Sequence, residues 1–245
     1  QGKFLFAFII AKHKSGYFID CEKSQAKALF KQLSIYKLRS KVEIMNLSNE
    51  FVVAAFNKEK FLKFEGAKDV LGNTIKYRED SIILDPRNKD LGARLIINLE
   101  KLYLSLKKLE LKDSPVDEYY QLSQRLGIPQ KEMNALQNKL FGVECNFEEL
   151  NGIDFKKGCY VGQENTARIK LKNKLSKRLL PLQLIEGKLD QDDLIYNGEF
   201  EIGKVLINND YPFALVKYLD DHFNEEIEFK SKNAKLKIKI PSWIN

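Results

Sequence analysis

The chain has few of the residues that usually bind metals or form disulfide bonds: three cysteines and two histidines among 245 residues. Cys21, Cys145 and Cys159 are widely spaced without a C-x-x-C pair, and His13 and His222 lie far apart. This pattern argues against a disulfide framework and shows no spacing typical of a zinc or iron–sulfur site. Cys21 and Cys145 are interpreted as packing residues. Unpaired cysteines are typical of a reducing compartment, so we expect a cytoplasmic protein without a bound metal.

Long apolar runs are also lacking. The longest run, residues 4–11, is far too short to span a membrane. No small-residue cleavage site follows it, so we interpret it as a buried strand and not as a signal peptide. Because the chain begins with Gln1 instead of methionine, we expect it to start inside a longer protein.

The first part of the sequence predicts an α+β unit with an antiparallel sheet. Short β-rich runs alternate there with apolar residues spaced i, i+3, i+4 and i+7, the pattern of amphipathic helices. The predicted strands are residues 4–12, 17–20, 42–47, 51–56 and 81–84. The predicted helices are residues 23–37, 99–109 and 114–126, with a shorter one around 133–140.

From about Leu175 the pattern changes to short β-rich runs separated by Gly, Asn, Asp and Pro. The last run, residues 234–240, alternates strictly between apolar residues and lysines. These runs predict a small C-terminal antiparallel β-barrel or sandwich. We expect the boundary near Asn173–Ser176, with an α+β core in residues 1–173 and the barrel in 174–245.

Positive charge is concentrated in residues 156–178, where eight basic residues and one acid, Glu164, give the same net charge, +7, as the whole chain. A neutral body with one positive segment indicates a local anionic partner. Two other interpretations stay open. The alternation of Lys170, Lys172 and Lys174 suits a solvated strand face. Concentrated basic residues also suit weak RNA contact, although few aromatic residues lie between them for base stacking.

Cys159 lies within this segment between Gly158 and Gly162, and such glycines let a loop approach another backbone or a ligand. Lys157 precedes the cysteine and Arg168 follows it. If these charges converge, they favour a reactive thiolate. The alternative is a small buried side chain, the commoner role of a lone cysteine.

The stretch N-G-I-D-F-K-K-G-C-Y-V-G-Q-E at residues 151–164, followed by Ala167-Arg168, resembles the signature of the folate-binding YgfZ family. That family is part of the superfamily of the glycine cleavage T-protein, an aminomethyltransferase, and is related to mitochondrial assembly factors for four-iron clusters. Further matches follow in the family's order: Q-G-K-F-L at 1–5, Y-K-L-R-S-K-V at 36–42, D-P-R at 85–87, L-G-A-R at 91–94, L-G-I-P at 126–129 and E-C-N at 144–146.

The resemblance implies an α+β, aminomethyltransferase-like multi-module fold with a ferredoxin-like subdomain in residues 1–90 and a C-terminal barrel. It implies tetrahydrofolate binding and a role in assembling or repairing iron–sulfur proteins, including enzymes that thiolate transfer RNA. The partners would be iron–sulfur enzymes or cluster-assembly proteins. Cys159 would be the reactive thiol. The implied folate-binding residues are Lys157, Gly158, Tyr160, Gly162, Gln163, Glu164 and Arg168.

A folate-dependent aminomethyltransferase or demethylase is the first alternative, with Glu144 as the candidate proton-transfer residue. The aminomethyltransferase relatives carry an arginine and a glutamate just before the L-G-I-P-like segment, where this chain has Ser123 and Arg125. This departure favours an accessory factor over a glycine-cleavage enzyme. A plain RNA-binding module is the second alternative.

Overall fold

A computed structural model describes residues 2–14, 16–160, 162–171 and 175–244, apart from the side chains of Lys170 and Leu171. The chain forms two compact units. The sheet unit is Phe6–Tyr119, and the barrel unit combines Gln1–Leu5 with Tyr120–Asn245. The predicted boundary near Asn173–Ser176 begins outside the described residues. The division into 1–173 and 174–245 therefore stays a prediction.

The sheet unit contains an antiparallel hairpin and a four-stranded antiparallel sheet. The hairpin joins β1 (Phe8–His13) to β2 (Gly16–Cys21), close to the two strands predicted around a turn. The strands of the sheet are β3 (Phe51–Phe56), β4 (Thr74–Tyr77), β5 (Asp80–Leu84) and β6 (Ala93–Asn98). Their order is β3–β6–β5–β4. The sequence patterns predicted β3 and most of β5 but missed β4 and β6.

Strand β5 lies inside the sheet and is buried along its whole length. On one face, Ile82 and Leu84 pack in a core with Leu95. On the opposite face, Ile83 packs in a second core with Ile9 of the hairpin. Burial on both faces explains why residues 82–84 of β5 form a continuous apolar run instead of an alternating pattern.

The predicted strand at residues 42–47 is wrong, because this segment is irregular and mostly exposed. β-Branched residues favour a strand only where a neighbouring strand can pair with them. In the described sheet, β6 pairs with β3 on one side and with β5 on the other. No strand of this sheet pairs with residues 42–47.

Three of the predicted helices lie close to their predicted positions, and one further short helix, Lys58–Phe61, was not predicted. The shorter helix predicted around residues 133–140 is wrong, because that segment has only a 3₁₀ turn, Met133–Leu136. The first helix is α1 (Ala26–Lys37), after a 3₁₀ turn, and the next is the short α2 (Lys58–Phe61). Helix α3 (Leu99–Lys108) begins after Asn98, whose side chain accepts a hydrogen bond from the backbone amide of Glu100. Helix α4 (Val116–Arg125) ends before Gly127. Every helix among the described residues is too short or too polar to cross a lipid bilayer.

Six strands of the barrel unit close into an antiparallel barrel, in the order β10–β7–β12–β11–β8–β9. They are β7 (Arg178–Gly187), β8 (Leu194–Asn197), β9 (Phe200–Ile207), β10 (Phe213–Val216), β11 (Phe229–Ser231) and β12 (Ala234–Ile238). In β12, Leu236 and Ile238 are buried while Lys235 is exposed, as the alternating pattern predicted. The predicted C-terminal antiparallel barrel is confirmed.

The end of α4 packs against the C-terminal tail of the barrel unit. A Cβ atom at Gly127 would lie 2.1 Å from Cγ of Pro241, so only glycine fits there. Trp243 donates a hydrogen bond from Nε1 to the carbonyl of Leu126 at 2.7 Å. The L-G-I-P segment is therefore held by the tail.

The N-terminal strap, residues 2–5, pairs with the segment before the signature. The amide of Phe4 donates to the carbonyl of Leu140 at 2.9 Å, and the carbonyl of Phe4 accepts from the amide of Asn138 at 2.9 Å. The Phe4 side chain is buried. The strap is thus a fixed part of the barrel unit.

We expect Gly92→Ala to destabilise the sheet unit far more than Gly66→Ala. Both glycines have a positive φ, +79° and +78°, but a Cβ at Gly92 would lie 2.1 Å from the carbonyl oxygen of Phe56, whereas Gly66 has open space. Backbone strain alone costs about 1–2 kcal/mol, and the clash should raise the loss at Gly92 to at least about 3 kcal/mol. Urea unfolding of both variants measures the difference. Equal losses would contradict the clash.

Candidate functional site

The signature loop, residues 156–160 with Gly162, presents Cys159 to solvent. The Cys159 side chain is exposed, and the loop has no regular secondary structure. Nζ of Lys157 lies 4.4 Å from the centre of the Tyr160 ring, a close cation–π contact. The interpretation of Cys159 as a small buried side chain is therefore wrong, and its reactive role stays a prediction.

Helix α5 (Gln163–Leu171) begins directly after the signature loop. The amide of Gln163 donates to the carbonyl of Tyr160 at 3.1 Å. Thr166 donates to the carbonyl of Gly162 from its amide at 3.4 Å and from its hydroxyl at 3.2 Å. Gly162 has a φ of +87°, a conformation that glycine adopts at little cost. The loop and the first turn of α5 thus form one hydrogen-bonded structure.

Two charged candidates, Glu164 and Arg168, are exposed on α5. They lie four residues apart, so they share one side of the helix. Glu164 is in the first turn, where a carboxylate interacts favourably with the positive end of the helix. The strand proposed for the lysine alternation is wrong for Lys170, which belongs to α5. Lys172 and Lys174 lie outside the described residues.

Arg178 is the one described basic residue of segment 156–178 that is buried. Its Nη1 lies 2.6 Å from Oε1 of Glu149 and donates to Oδ1 of Asn146 at 3.0 Å. Its guanidinium also lies 5.3 Å from the centre of the Tyr218 ring. Arg178 therefore stabilises the fold. The exposed positive charges of the segment, among the side chains that the structure describes, are Lys156, Lys157, Arg168 and Lys177.

Glu144 lies outside the signature loop, in a turn before it. Its carboxylate accepts a hydrogen bond from the amide of Phe141 at 2.8 Å. Its carbonyl accepts from the amide of Leu179 at 2.8 Å. These contacts give Glu144 a structural role in the turn, and its role in proton transfer stays a prediction.

Ser123 also has a structural role at the position where it departs from the aminomethyltransferase relatives. It is buried in α4, and its hydroxyl donates to the carbonyl of Ile128. This bond helps to hold the L-G-I-P segment against the end of the helix.

The two other cysteines are less accessible than Cys159. Burial, followed by the nearby Glu144, raises the pKa of the Cys145 thiol well above its usual range. Burial, followed by Asp20 and Glu22, also raises the pKa of the half-buried Cys21. Within the described ranges, no group of three or more His, Cys, Asp or Glu side chains could hold a metal ion.

A second polar cluster lies in the sheet unit and was not selected from the sequence. Asp85 is fully buried and accepts from Arg87, at 2.9 Å from Nε and 2.6 Å from Nη2. Arg94 donates from Nε to Asp20 and from Nη1 to the hydroxyl of Tyr119, each at 2.7 Å. Nη1 of Arg94 also lies 3.8 Å from Oδ2 of Asp85.

The charges of this cluster are balanced, two carboxylates against two guanidinium groups. Burial alone would raise the pKa of Asp85, but Arg87 and then Arg94 outweigh it and hold the pKa below its usual value. We interpret the cluster as a structural ion network. The sequence signal was the neighbouring D-P-R and L-G-A-R motifs, which supply Asp85, Arg87 and Arg94.

The comparisons with known proteins agree with the signature. No family model matches the chain. The Dictyostelium discoideum protein named iron-sulfur cluster assembly factor IBA57 homolog, mitochondrial, is 32% identical over 169 residues, which cover 68% of this chain and 40% of that protein. The Neurospora crassa protein of the same name is 31% identical over 169 residues, 69% of this chain and 38% of that protein.

A mammalian relative shows the same relation. The Mus musculus iron-sulfur cluster assembly factor IBA57, mitochondrial, is 31% identical over 177 residues, 71% of this chain and 46% of that protein. The chain thus spans between 38% and 46% of the length of these three relatives.

The structural comparison defines the fold. The glycine cleavage system aminomethyltransferase T from Bartonella henselae superposes with a TM-score of 0.72 at 13% identity, covering 99% of this chain and 73% of that one. The protein therefore has an aminomethyltransferase-like fold, as the resemblance implied. The sequence relatives and this fold together confirm the resemblance to the superfamily that contains the YgfZ proteins and the glycine cleavage T-protein.

The expected cytoplasmic location is wrong. The relatives from Dictyostelium discoideum, Neurospora crassa and Mus musculus are all named as mitochondrial proteins. Unpaired cysteines indicate only reducing conditions, which do not identify a compartment.

We expect Asp85→Asn to lower the free energy of unfolding at pH 7 by roughly 3–5 kcal/mol, because it leaves buried guanidinium groups without a charge partner. The control is Asp69→Asn, which breaks an exposed contact with Lys89 and should cost less than about 1 kcal/mol. Because the folded-state pKa of Asp85 is lowered, its stabilisation is present above the unfolded pKa and is lost as the pH falls through the folded pKa. Chemical denaturation across pH should therefore show wild type and Asp85→Asn converging in acid. A constant difference would contradict this account.

Proposed function

We propose that this protein assists the assembly or repair of iron–sulfur proteins and binds tetrahydrofolate beside its signature loop. The observation that carries the proposal is the exposed Cys159 on a loop held by the Lys157–Tyr160 contact. The relatives named as iron-sulfur cluster assembly factors support the first part. The aminomethyltransferase-like fold supports the second.

The exposed charges around the loop fit the anionic end of a folate. Lys156 and Lys157 lie in the loop and Arg168 lies on α5, all exposed. Folates carry glutamate carboxylates, and ammonium and guanidinium groups bind carboxylates through charge-assisted hydrogen bonds. We assign Lys157 and Arg168 to the glutamate tail. Gly158, Tyr160, Gly162, Gln163 and Glu164 would form the surrounding surface. The bound folate would supply one-carbon chemistry, and the protein residues would bind and orient it.

Cys159 supplies the chemistry that a cluster-handling protein needs. A thiolate is a soft ligand that suits iron–sulfur clusters. An exposed thiol on a loop can reach the surface of another protein, which a buried one such as Cys145 cannot. We therefore assign Cys159 to contact with an iron–sulfur client or a cluster-assembly protein. Enzymes that thiolate transfer RNA are the client class we favour.

The alternative functions lack a comparable observation. A folate-dependent transferase or demethylase needs a proton-transfer group, yet the carboxylate of Glu144 is engaged by the amide of Phe141. An RNA-binding module needs a positive surface with stacking residues, and Arg178 of the basic segment is buried. Both alternatives stay predictions from the sequence.

We expect Lys157→Ala to weaken tetrahydrofolate binding about three- to thirtyfold, because it removes one charge-assisted contact and the cation–π contact with Tyr160. Lys177→Ala is the matched control, since Lys177 is an exposed lysine of the same basic segment but lies outside the signature loop. Calorimetric titration of folates with one and with several glutamates measures both variants. If the two variants bind alike, Lys157 has no specific role. If wild type does not bind at all, the folate proposal is wrong.

We expect Cys159→Ser to fail to restore iron–sulfur enzyme activity in cells that lack the protein, because a hydroxyl cannot replace a thiolate. Cys145→Ser tests the general loss of a cysteine, and Cys21→Ser tests a second position outside the signature loop. The measurement is iron–sulfur enzyme activity at matched levels of each variant protein. Full rescue by Cys159→Ser would remove the thiol from the mechanism.

A further inference from the structure

We propose that Gly2 is a positioning residue for Cys159: through the carbonyl of Gly162, the N-terminal strap fixes the start of α5 and the signature loop. The proposal deepens the proposed function, since it takes the signature loop as the working site. No sequence pattern indicated this contact, because the two glycines are far apart in the chain.

The two backbones meet more closely than any side chain would allow. Gly2 has a φ of +82°, and a Cβ atom there would lie 2.9 Å from the carbonyl oxygen of Gly162 and 3.5 Å from its Cα. A Cβ atom essentially never approaches a backbone oxygen so closely. Gly158, in the same loop, has no atom within 4 Å of a Cβ position. Close packing is therefore a property of the Gly2–Gly162 contact and not of every glycine in the loop.

The carbonyl of Gly162 is held from its other side by Thr166. It accepts from the Thr166 amide at 3.4 Å and from the Thr166 hydroxyl at 3.2 Å. Thr166 is itself buried. A methyl group at position 2 would push this carbonyl and weaken the bonds that begin α5.

The strap cannot easily move away to relieve such a clash. Phe4 is buried and makes backbone hydrogen bonds in both directions, to Leu140 and from Asn138. We therefore expect the signature loop, and not the strap, to move. This movement would shift Cys159, because the neighbouring Tyr160 is bonded to the start of α5: its carbonyl accepts from the amide of Gln163 at 3.1 Å.

Hydrogen exchange of the intact chain tests the proposal. In Gly2→Ala, the amides of Gln163 and Thr166 should exchange at least about fivefold faster, because a clash of roughly 1–2 kcal/mol shifts the opening equilibrium by about that factor. The rate at which iodoacetamide alkylates Cys159, quantified on the peptide that contains it, should differ from the wild-type rate in the same variant. The control is Gly198→Ala, at a glycine with a φ of +59° and open space. It should leave both readouts at the wild-type rate.

A second variant keeps the test decisive if Gly2→Ala does not fold. Thr166→Val removes the hydroxyl bond to the Gly162 carbonyl and should accelerate exchange at Gln163. In the double variant with Gly2→Ala, the change in opening free energy at Gln163 should be smaller than the sum of the two single changes, since both substitutions act on one carbonyl. Wild-type exchange in folded Gly2→Ala, or in Thr166→Val, would overturn the proposal. Both readouts are independent of folate, so they also separate this proposal from a failure of folate binding.

Discussion

The ion pair between Glu149 and Arg178 is the constraint on which the candidate site depends. Glu149 lies in the turn just before the signature stretch and Arg178 is the first residue of β7, so their 2.6 Å contact joins this turn to the barrel. Asn146 strengthens this connection, because its side chain accepts from Arg178 and donates to the carbonyl of Leu179 at 2.8 Å. A buried pair of this kind offsets the loss of hydration only as far as its polar atoms find partners, and here Oε2 of Glu149 and Nε of Arg178 are buried without a hydrogen-bond partner among the described residues. The segments that contain Glu149 and Arg178 are therefore held together, while Cys159 itself is exposed.

Local patterns predicted the parts of this fold that depend on local chemistry. The hairpin, β3 and the alternating β12 follow directly from residue periodicity. Residues 42–47 have equally good strand composition, but whether a strand forms depends on a partner that local sequence does not reveal. The short alternation around Lys170 fits a strand or a helix equally well, and the structure has a helix there.

For the candidate site, too, the sequence predicted the local features but not the contacts between distant segments. The signature identified the loop and its cysteine, and the structure shows that this cysteine is exposed. The charge count could not tell that Arg178 is buried, because burial depends on Glu149 and Asn146 in an earlier turn. The partner of Arg94 was equally hidden, since Asp20 precedes it by 74 residues. Contacts between distant segments are the information that one sequence does not contain.

The C-terminal tail gives the barrel unit an internal optical reporter. Trp243 is the only tryptophan of the chain, and its indole N–H is bonded to the end of α4 through Leu126. The indole will therefore change its surroundings whenever the tail leaves the L-G-I-P segment. Its fluorescence wavelength thus follows the docking of this tail specifically, without any introduced label.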